Sequence, residues 1–560
     1  MVNAKAKLLS GIIIMLTVAA TTHAQTSADL VIRGGFIHTL NPQQPTAAAV
    51  AIKEAKIIFV GDRNDVGKYI GKSTQVLDIE GLTALPGLTD AHAHLNSLGR
   101  SLAQLNLLGT TSPEMIRTLL LEQIKSAKSG AWIAGRGWDQ NDWPDQQFPH
   151  WKDLAGTESH PVFLRRVDGH AAWVNKTVLK LCGIDAHTVA PQGGKIIHDA
   201  EGKPTGVLID NAIDLVVRKM SKVTYETRIA WMQKAIEKCH SVGLVGVHDA
   251  GVDPLKWEIY QQLQLDDNLN FRVYAMLEDT TEERLWMKQW FSQGPFSTQG
   301  EMLTLRSLKL YADGALGSRG AALLKPYGDD PENSGLMIHP DEFYFQIAEE
   351  ALHAGFQVCT HAIGDRGNRV ILDQYEKALT KNPKEDHRFR IEHAQIVSLD
   401  DILRFAELGV IPSMQPTHAT SDMPWAENRL GSERIKGAYA WRKFLDAGSI
   451  IPCGSDFPVE NPNPFWGIYA AVTRQDHSRQ PASGWYPEEC MTVAEAVRGF
   501  TLDAAYAGFA EKTRGSIEVG KLADFTIIDR DIYVIPAREI KDTQVRYTIV
   551  GGRIVYQATN

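Results

Sequence analysis

Apolar positions along the chain follow two rhythms. Short alternating runs bounded by Gly and Asn occupy both ends: Ala28 to Arg33, Ala48 to Ile52, Lys56 to Val60, Gln75 to Ile79, then Leu522 to Asp529 and Val545 to Tyr556. Such alternation predicts half-buried strands. The two ends, residues 25–84 plus 515–560, are expected to join in one composite β-sandwich, because chain termini often lie close together. Between them, apolar strands alternate with helical stretches such as Tyr225 to His240 and Glu342 to Ala354. That order predicts parallel β/α units. Eight strand candidates are present: Leu82 to Leu88, Leu244 to His248, Phe271 to Leu277, Ser307 to Tyr311, Gln357 to His361, Arg388 to His393, Val410 to Gln415 and Ile450 to Asp456. The fold class is therefore α/β, a (β/α)8 TIM-type barrel over residues 85–514. The stretch between the first two strands is far too long for one helix. Residues from about 105 to 220, rich in Trp, Gly and Asp, are expected to be a large insertion, and insertions on barrel loops commonly shape a substrate pocket.

Chemistry collects at the strand ends. His92 and His94 close the first strand in Asp90-Ala91-His92-Ala93-His94. Residues two apart on a strand point the same way, so both imidazoles face the barrel mouth. Lys309 interrupts an apolar strand, and lysine is almost never fully buried unless paired or functional. His361, His393 and Asp456 each fall where a barrel strand stops, the face at which this fold carries its active sites. Four His and one Asp converging there suit Zn2+ or a similar first-row ion. Any one of these histidines taken alone reads first as a satisfied core or loop residue; the coincidence at corresponding strand ends carries the metal reading.

These residues resemble the amidohydrolase superfamily, through Pro86-Gly87-Leu88-Thr89-Asp90-Ala91-His92-Ala93-His94 and the later Lys, His, His and Asp. Gly135-Arg136-Gly137-Trp138-Asp139-Gln140, Asp168 to Asn175, Asp313 to Arg319 and Gly515 to Asp524 look like the branch containing the N-substituted formamide deformylases, amidohydrolase family 3. The resemblance implies that His92 and His94 hold one divalent ion, that His361 and His393 hold a second, and that carboxylated Lys309 bridges them. Asp456 would bind the first ion and act as general base. One or two ions, Zn2+ foremost, are the expected cofactors; with Lys309 a free amine the site would be mononuclear. The expected function is hydrolysis of an amide or N-formyl C–N bond of a small molecule. The rivals are a ring-amidine deaminase and a non-enzymatic binding relative. Related deaminases carry a Glu three residues after the histidine of the fifth strand, where this chain has Gly364, followed by Asp365.

Secondary candidates are His170, for substrate or oxyanion contact, and Trp138, Asp168 and Arg319 for substrate binding. Core packing is the default for Trp138, Trp143 and Trp173, with pocket wall as the functional alternative; an ordinary loop histidine is an equal alternative for His170, and pairing with a loop carboxylate an equal alternative for Arg319. His248 is a candidate for the layer behind the ligands, and His418 is read as structural. A net charge of −9 gives no basic footprint for nucleic acid. Lys5 and Lys7, the apolar run Leu8 to Ala20 and Thr22-His23-Ala24 read as a signal peptide over residues 1–24, which implies secretion to the periplasm and no stable membrane span. The five cysteines are odd in number and scattered, so no disulfide framework is expected. A homodimer is a permitted assembly.

Overall fold

The structure is a computed structural model and describes residues 27–559 except 167–170, 192–193, 221–222, 279–280, 282 and 318. The leader expected over residues 1–24, together with Asp168 and His170, lies outside the described residues.

Seven parallel strands follow one another in chain order around a barrel: β1 (Leu88–Ala93), β2 (Leu244–Val252), β3 (Arg272–Leu277), β4 (Leu303–Tyr311), β5 (Gln357–Ala362), β6 (Arg390–His393) and β7 (Ile411–Ser413). Residues 450–456 close the gap between β7 and β1 without forming a regular strand. Met414 N donates to Pro452 O (3.1 Å), Gly454 N to Met414 O (3.0 Å), Ala91 N to Cys453 O (3.0 Å) and Asp456 N to His92 O (2.8 Å). The helices expected between strands are present, for example Tyr225–Ser241 and Asp341–Ala354. Their buried faces pack onto the barrel in one large apolar cluster that includes Met232, Ile236, Phe345 and Ile347.

The first barrel strand differs from the sequence expectation of Leu82 to Leu88. Thr83–Pro86 belongs instead to the terminal sheet, between Phe525–Ile528 and Leu30–His38. The chain crosses between the sheets at Gly87, whose N–H bonds to Asp524 O at 2.9 Å. A side chain there would strike Val245 and Asp524 at 2.6 and 2.8 Å, so the crossing is too tight for any Cβ. The apolar run continues unbroken through the crossing, which hides it from a hydrophobicity pattern.

The terminal sheet draws strands from both chain ends, in the order 553–557, 545–550, 525–528, 83–86, 30–38, 46–53 and 56–61, and 75–78 adds to the 30–38 strand. Residues between β1 and β2 form a third, six-stranded sheet with apolar clusters of its own. The five cysteines are free; Cys239, Cys359 and Cys453 are buried. Among the described residues no helix is long and apolar enough to cross a membrane.

Candidate metal centre

Four of the barrel's strands and its closing segment deliver side chains to one place. His92 comes from β1 and His94 from the residue after it, Lys309 from β4, His361 from β5, His393 from β6, and Asp456 from the closing segment. His92, His393 and Asp456 each offer a ligand atom within 4.8 Å of the others, and all three are buried. His94 Nε2 lies 3.1 Å and His92 Nε2 3.7 Å from Asp456 Oδ1. Lys309 Nζ stands 3.5 Å from His92 Nε2. The His361 ring meets that of His393 with centroids 4.6 Å apart. The structure thus brings all six sequence-predicted ligand candidates together. His393 and Asp456 adopt φ of 74° and 58°, a left-handed backbone that costs of order 1–3 kcal/mol at a non-glycine residue and is found at functional sites.

The far side of each imidazole is committed. His92 Nδ1 bonds Glu392 Oε2 at 2.5 Å, His94 Nδ1 bonds Ala250 O at 2.8 Å, and His393 Nδ1 bonds Gln415 Oε1 at 2.7 Å. A backbone carbonyl, an amide oxygen and an ionised carboxylate only accept, so the proton sits on Nδ1 in each ring. The Nε2 lone pairs are left facing one another, the orientation that metal-bound histidines take from their outer partners. Glu392 is itself fixed by Arg390, whose Nη2 donates to Oε2 at 3.1 Å. Arg390 also reaches Ala91 O, Ser413 Oγ and His248 Nδ1, so His248 stands one layer behind the ligands.

Burial and the Lys309 charge push His92 down to about 4 and His361 down to about 3, so both rings are neutral at ordinary pH. Burial also lowers the Lys309 amine from its usual range. Asp456 is held well below the carboxylate range: burial works against its charge, and His94, His92 and His393 overcome that. Two buried atoms here, Asp456 Oδ1 and His361 Nε2, have no well-directed hydrogen-bond partner. The neutral His92 and His361 imidazoles, an ionised carboxylate and orphaned ligand atoms in one cluster fit a divalent cation of the Zn2+ type; His94, beside Asp456, is instead shifted upward, against the effect of burial, by that carboxylate, whose negative charge a bound cation would share.

Other candidates are placed differently. Trp138 is fully buried in the insertion's core, against Trp143 and Trp173, and its indole N–H bonds Leu164 O at 2.9 Å. Arg319 pairs with Asp329 at 2.9 Å within its own loop, and Arg429 shares that carboxylate. The guanidinium is thus engaged by a carboxylate within its loop. Cys359 is a buried thiol whose Sγ sits 3.3 Å from Gln357 Oε1.

Several residues of the site escaped the sequence reading. Glu392 and Gln415 orient ligands, yet neighbouring-strand partners leave no spacing signal. His418, read as structural, places Nε2 3.8 Å from Asp456 Oδ2 and lies nearly parallel to the His393 ring. It sits on a short helix, Pro416–Asp422, that starts where β7 ends, so its place after a strand was the available clue. Asp313 accepts from the backbone N–H of Ile363, Gly364 and Ala322, tying the loop after β4 to the loop after β5 beside His361.

The comparisons with known proteins agree with this geometry. The model of the Amidohydrolase family matches residues 75–556. The putative amidohydrolase YtcJ of Bacillus subtilis is 32% identical, over 94% of this chain and 98% of its own length. The N-substituted formamide deformylase of Arthrobacter pascens is 28% identical, over 95% and 99%. The crystal structure of an uncharacterized metal-dependent hydrolase from Pyrococcus horikoshii superposes with a TM-score of 0.74 at 27% identity, covering 91% of this chain and 99% of that one. Family, fold and the buried donor cluster agree: the chain belongs to the amidohydrolase family and is a metal-dependent hydrolase.

Proposed function

We propose that the protein hydrolyses an amide or N-formyl C–N bond of a small molecule. The observation that carries this reading is the set of three imidazoles locked at Nδ1, with Nε2 atoms converging on Asp456. His92, His94 and Asp456 would hold one divalent ion, with Zn2+ the cation their donors suit best, and His361 and His393 a second. Lys309 is the bridging candidate, since burial draws its amine toward the neutral form that reacts with CO2. The cation supplies Lewis acidity, acidifying water and polarising a carbonyl oxygen. The protein's own part is proton handling and positioning. Asp456 turns Oδ1 toward His92 and His94, which leaves Oδ2 to accept the proton of attacking water and return it to the departing nitrogen. Glu392, Ala250 and Gln415 keep the rings from turning during that exchange.

The deformylase activity named for the Arthrobacter pascens relative supports the amide reading. So does the loop after β5. A Cβ at Gly364 would lie 1.9 Å from Ala322 O, so no glutamate fits where a ring deaminase needs one. Asp365 does not stand in for it, because its Oδ1 accepts from Leu324 N at 2.8 Å and Arg366 N at 3.0 Å. The test is a screen of the purified, Zn2+-loaded enzyme with N-formyl and N-acyl amines against cyclic amidines. Release of a primary amine is the expected product. Ammonia from the amidines, with no turnover of the amides, would replace the proposal with the deaminase reading.

A further inference from the structure

The other end of the barrel holds a second chemically specific cavity. Arg306 lies three residues before Lys309, on the opening half of β4, and the Phe296–Ser297 segment pairs with that half at Thr304 and Leu305. Here a 310 Å³ cavity opens between Phe296, Glu301, Arg306, Phe509 and Arg514. Arg514 is only 7% exposed, and its Nε is buried without a partner. Its side chain makes no hydrogen bond or ion pair with any described residue. The nearby carboxylate of Asp524 is already taken by both Nε and Nη2 of Arg272, at 2.5 and 2.8 Å. Glu301 accepts from Thr513 Oγ1 at 2.8 Å. Arg306 lies over the Phe509 ring at 3.6 Å, and its Nε is also buried and unsatisfied.

A guanidinium cannot shed its proton in a protein, so it cannot escape burial by neutralising. A buried cation without a counter-charge is costly, and an anion from solvent removes that cost. Burial and the neighbouring Arg272 pull Arg514 down to about 10, in keeping with an unmet counter-charge. Two guanidiniums against the one Glu301 carboxylate leave a single net positive charge, which matches a monoanion. Pro295, Phe296 and Phe509 add apolar wall. We propose that this cavity at the N-terminal face of the barrel binds a small organic carboxylate, with its carboxylate on the Arg514 and Arg306 guanidiniums and its apolar body against Phe296. The site is separate from the metal centre, since it is built on the opposite end of β4 from Lys309.

The test is calorimetric titration of the full-length holoenzyme with benzoate, with inorganic phosphate as the comparison anion. Saturable one-to-one binding of benzoate, weaker in high salt and tighter than phosphate, is expected. Arg514→Met should weaken it by roughly thirtyfold or more, the usual result of deleting one partner of a buried charged pair. His92→Ala should leave it intact, which separates this site from carboxylate binding at the metal centre. Benzoate should also raise the melting temperature of the wild type and not that of Arg514→Met. If Arg514→Met does not fold, Arg306→Gln at the partly exposed rim gives the same reading. Benzoate binding that survives both arginine variants, or that disappears in His92→Ala, overturns the proposal. Tighter binding of phosphate than of benzoate overturns the organic-carboxylate assignment.

Discussion

Glu392→Gln is the sharpest probe of how the site is held. Glu392 is completely buried, accepts from His92 Nδ1 at 2.5 Å and from Arg390 Nη2 at 3.1 Å, and is held well below the carboxylate range by Arg390 and His92 against the effect of burial. Glutamine keeps the shape and removes the charge. Breaking a buried ion pair from one side costs about 3–5 kcal/mol. The low end, about 3 kcal/mol, is expected here, because Arg390 retains Ala91 O, Ser413 Oγ and His248 Nδ1 as acceptors. The His92 ring would also lose its anionic partner, a change that weakens metal binding by about 10–100-fold. Urea unfolding of the metal-stripped protein measures the first quantity, and chelator competition measures the second. A stability loss under about 1 kcal/mol together with metal affinity within about threefold of wild type would refute the claim that Glu392 both balances Arg390 and fixes His92.

Four further outcomes follow from the same contacts. Asp456→Asn should abolish turnover while urea unfolding still shows a folded protein; retained turnover would remove Asp456 from proton transfer. Trp138→Ala should cost about 3–5 kcal/mol, since it empties a fully enclosed site in the insertion's core, and loss of KM alone without destabilisation would contradict that placement. Arg319→Met should change stability by less than about 1 kcal/mol, as for surface pairs, and leave KM unchanged in steady-state assays; a large rise in KM would make it a substrate contact instead. The Arg442 hydrogen bond holds Glu495 down to about 2, below its ordinary 4.5. A lowered folded-state value means this contribution is whole above pH 4.5 and fades as pH falls toward 2. Glu495→Gln should therefore flatten the acid limb of the stability curve over that window, and an unchanged limb would count against the pair.

The barrel was legible because four of its strands and the closing segment carry a chemically distinctive residue at or near their ends. His94, Lys309, His361, His393 and Asp456 are unusual after apolar runs, and the common position in each β/α unit places them on one face. The helices were equally plain from their periodicity. What the sequence hid was lateral. Gly87 transfers the chain from one sheet to another inside a continuous apolar run, so the first strand was set too early. Residues 450–456 pair on both sides through only a few hydrogen bonds, so they close the barrel without strand geometry. Glu392, Gln415 and the Ala250 carbonyl orient histidines that lie on other strands, and no spacing rule links such partners. For Trp138 both pocket wall and core packing stood open, since a separate sheet with a core of its own cannot be inferred from a Trp-rich stretch. Arg514 gave no signal either, since only the tertiary fold shows that its neighbours' carboxylates are already engaged.

The clustered imidazoles and Asp456 should form a working cation site. Elemental analysis of the purified protein, paired with hydrolysis of an N-formyl amine before chelation, after chelation and after Zn2+ is restored, tests it most directly. One or two bound divalent ions per chain, loss of activity with the metal, recovery with Zn2+ and no recovery in His92→Ala are expected. A metal-free protein that stays inactive after Zn2+ or Mn2+ is added, or full activity in the stripped protein, would contradict it.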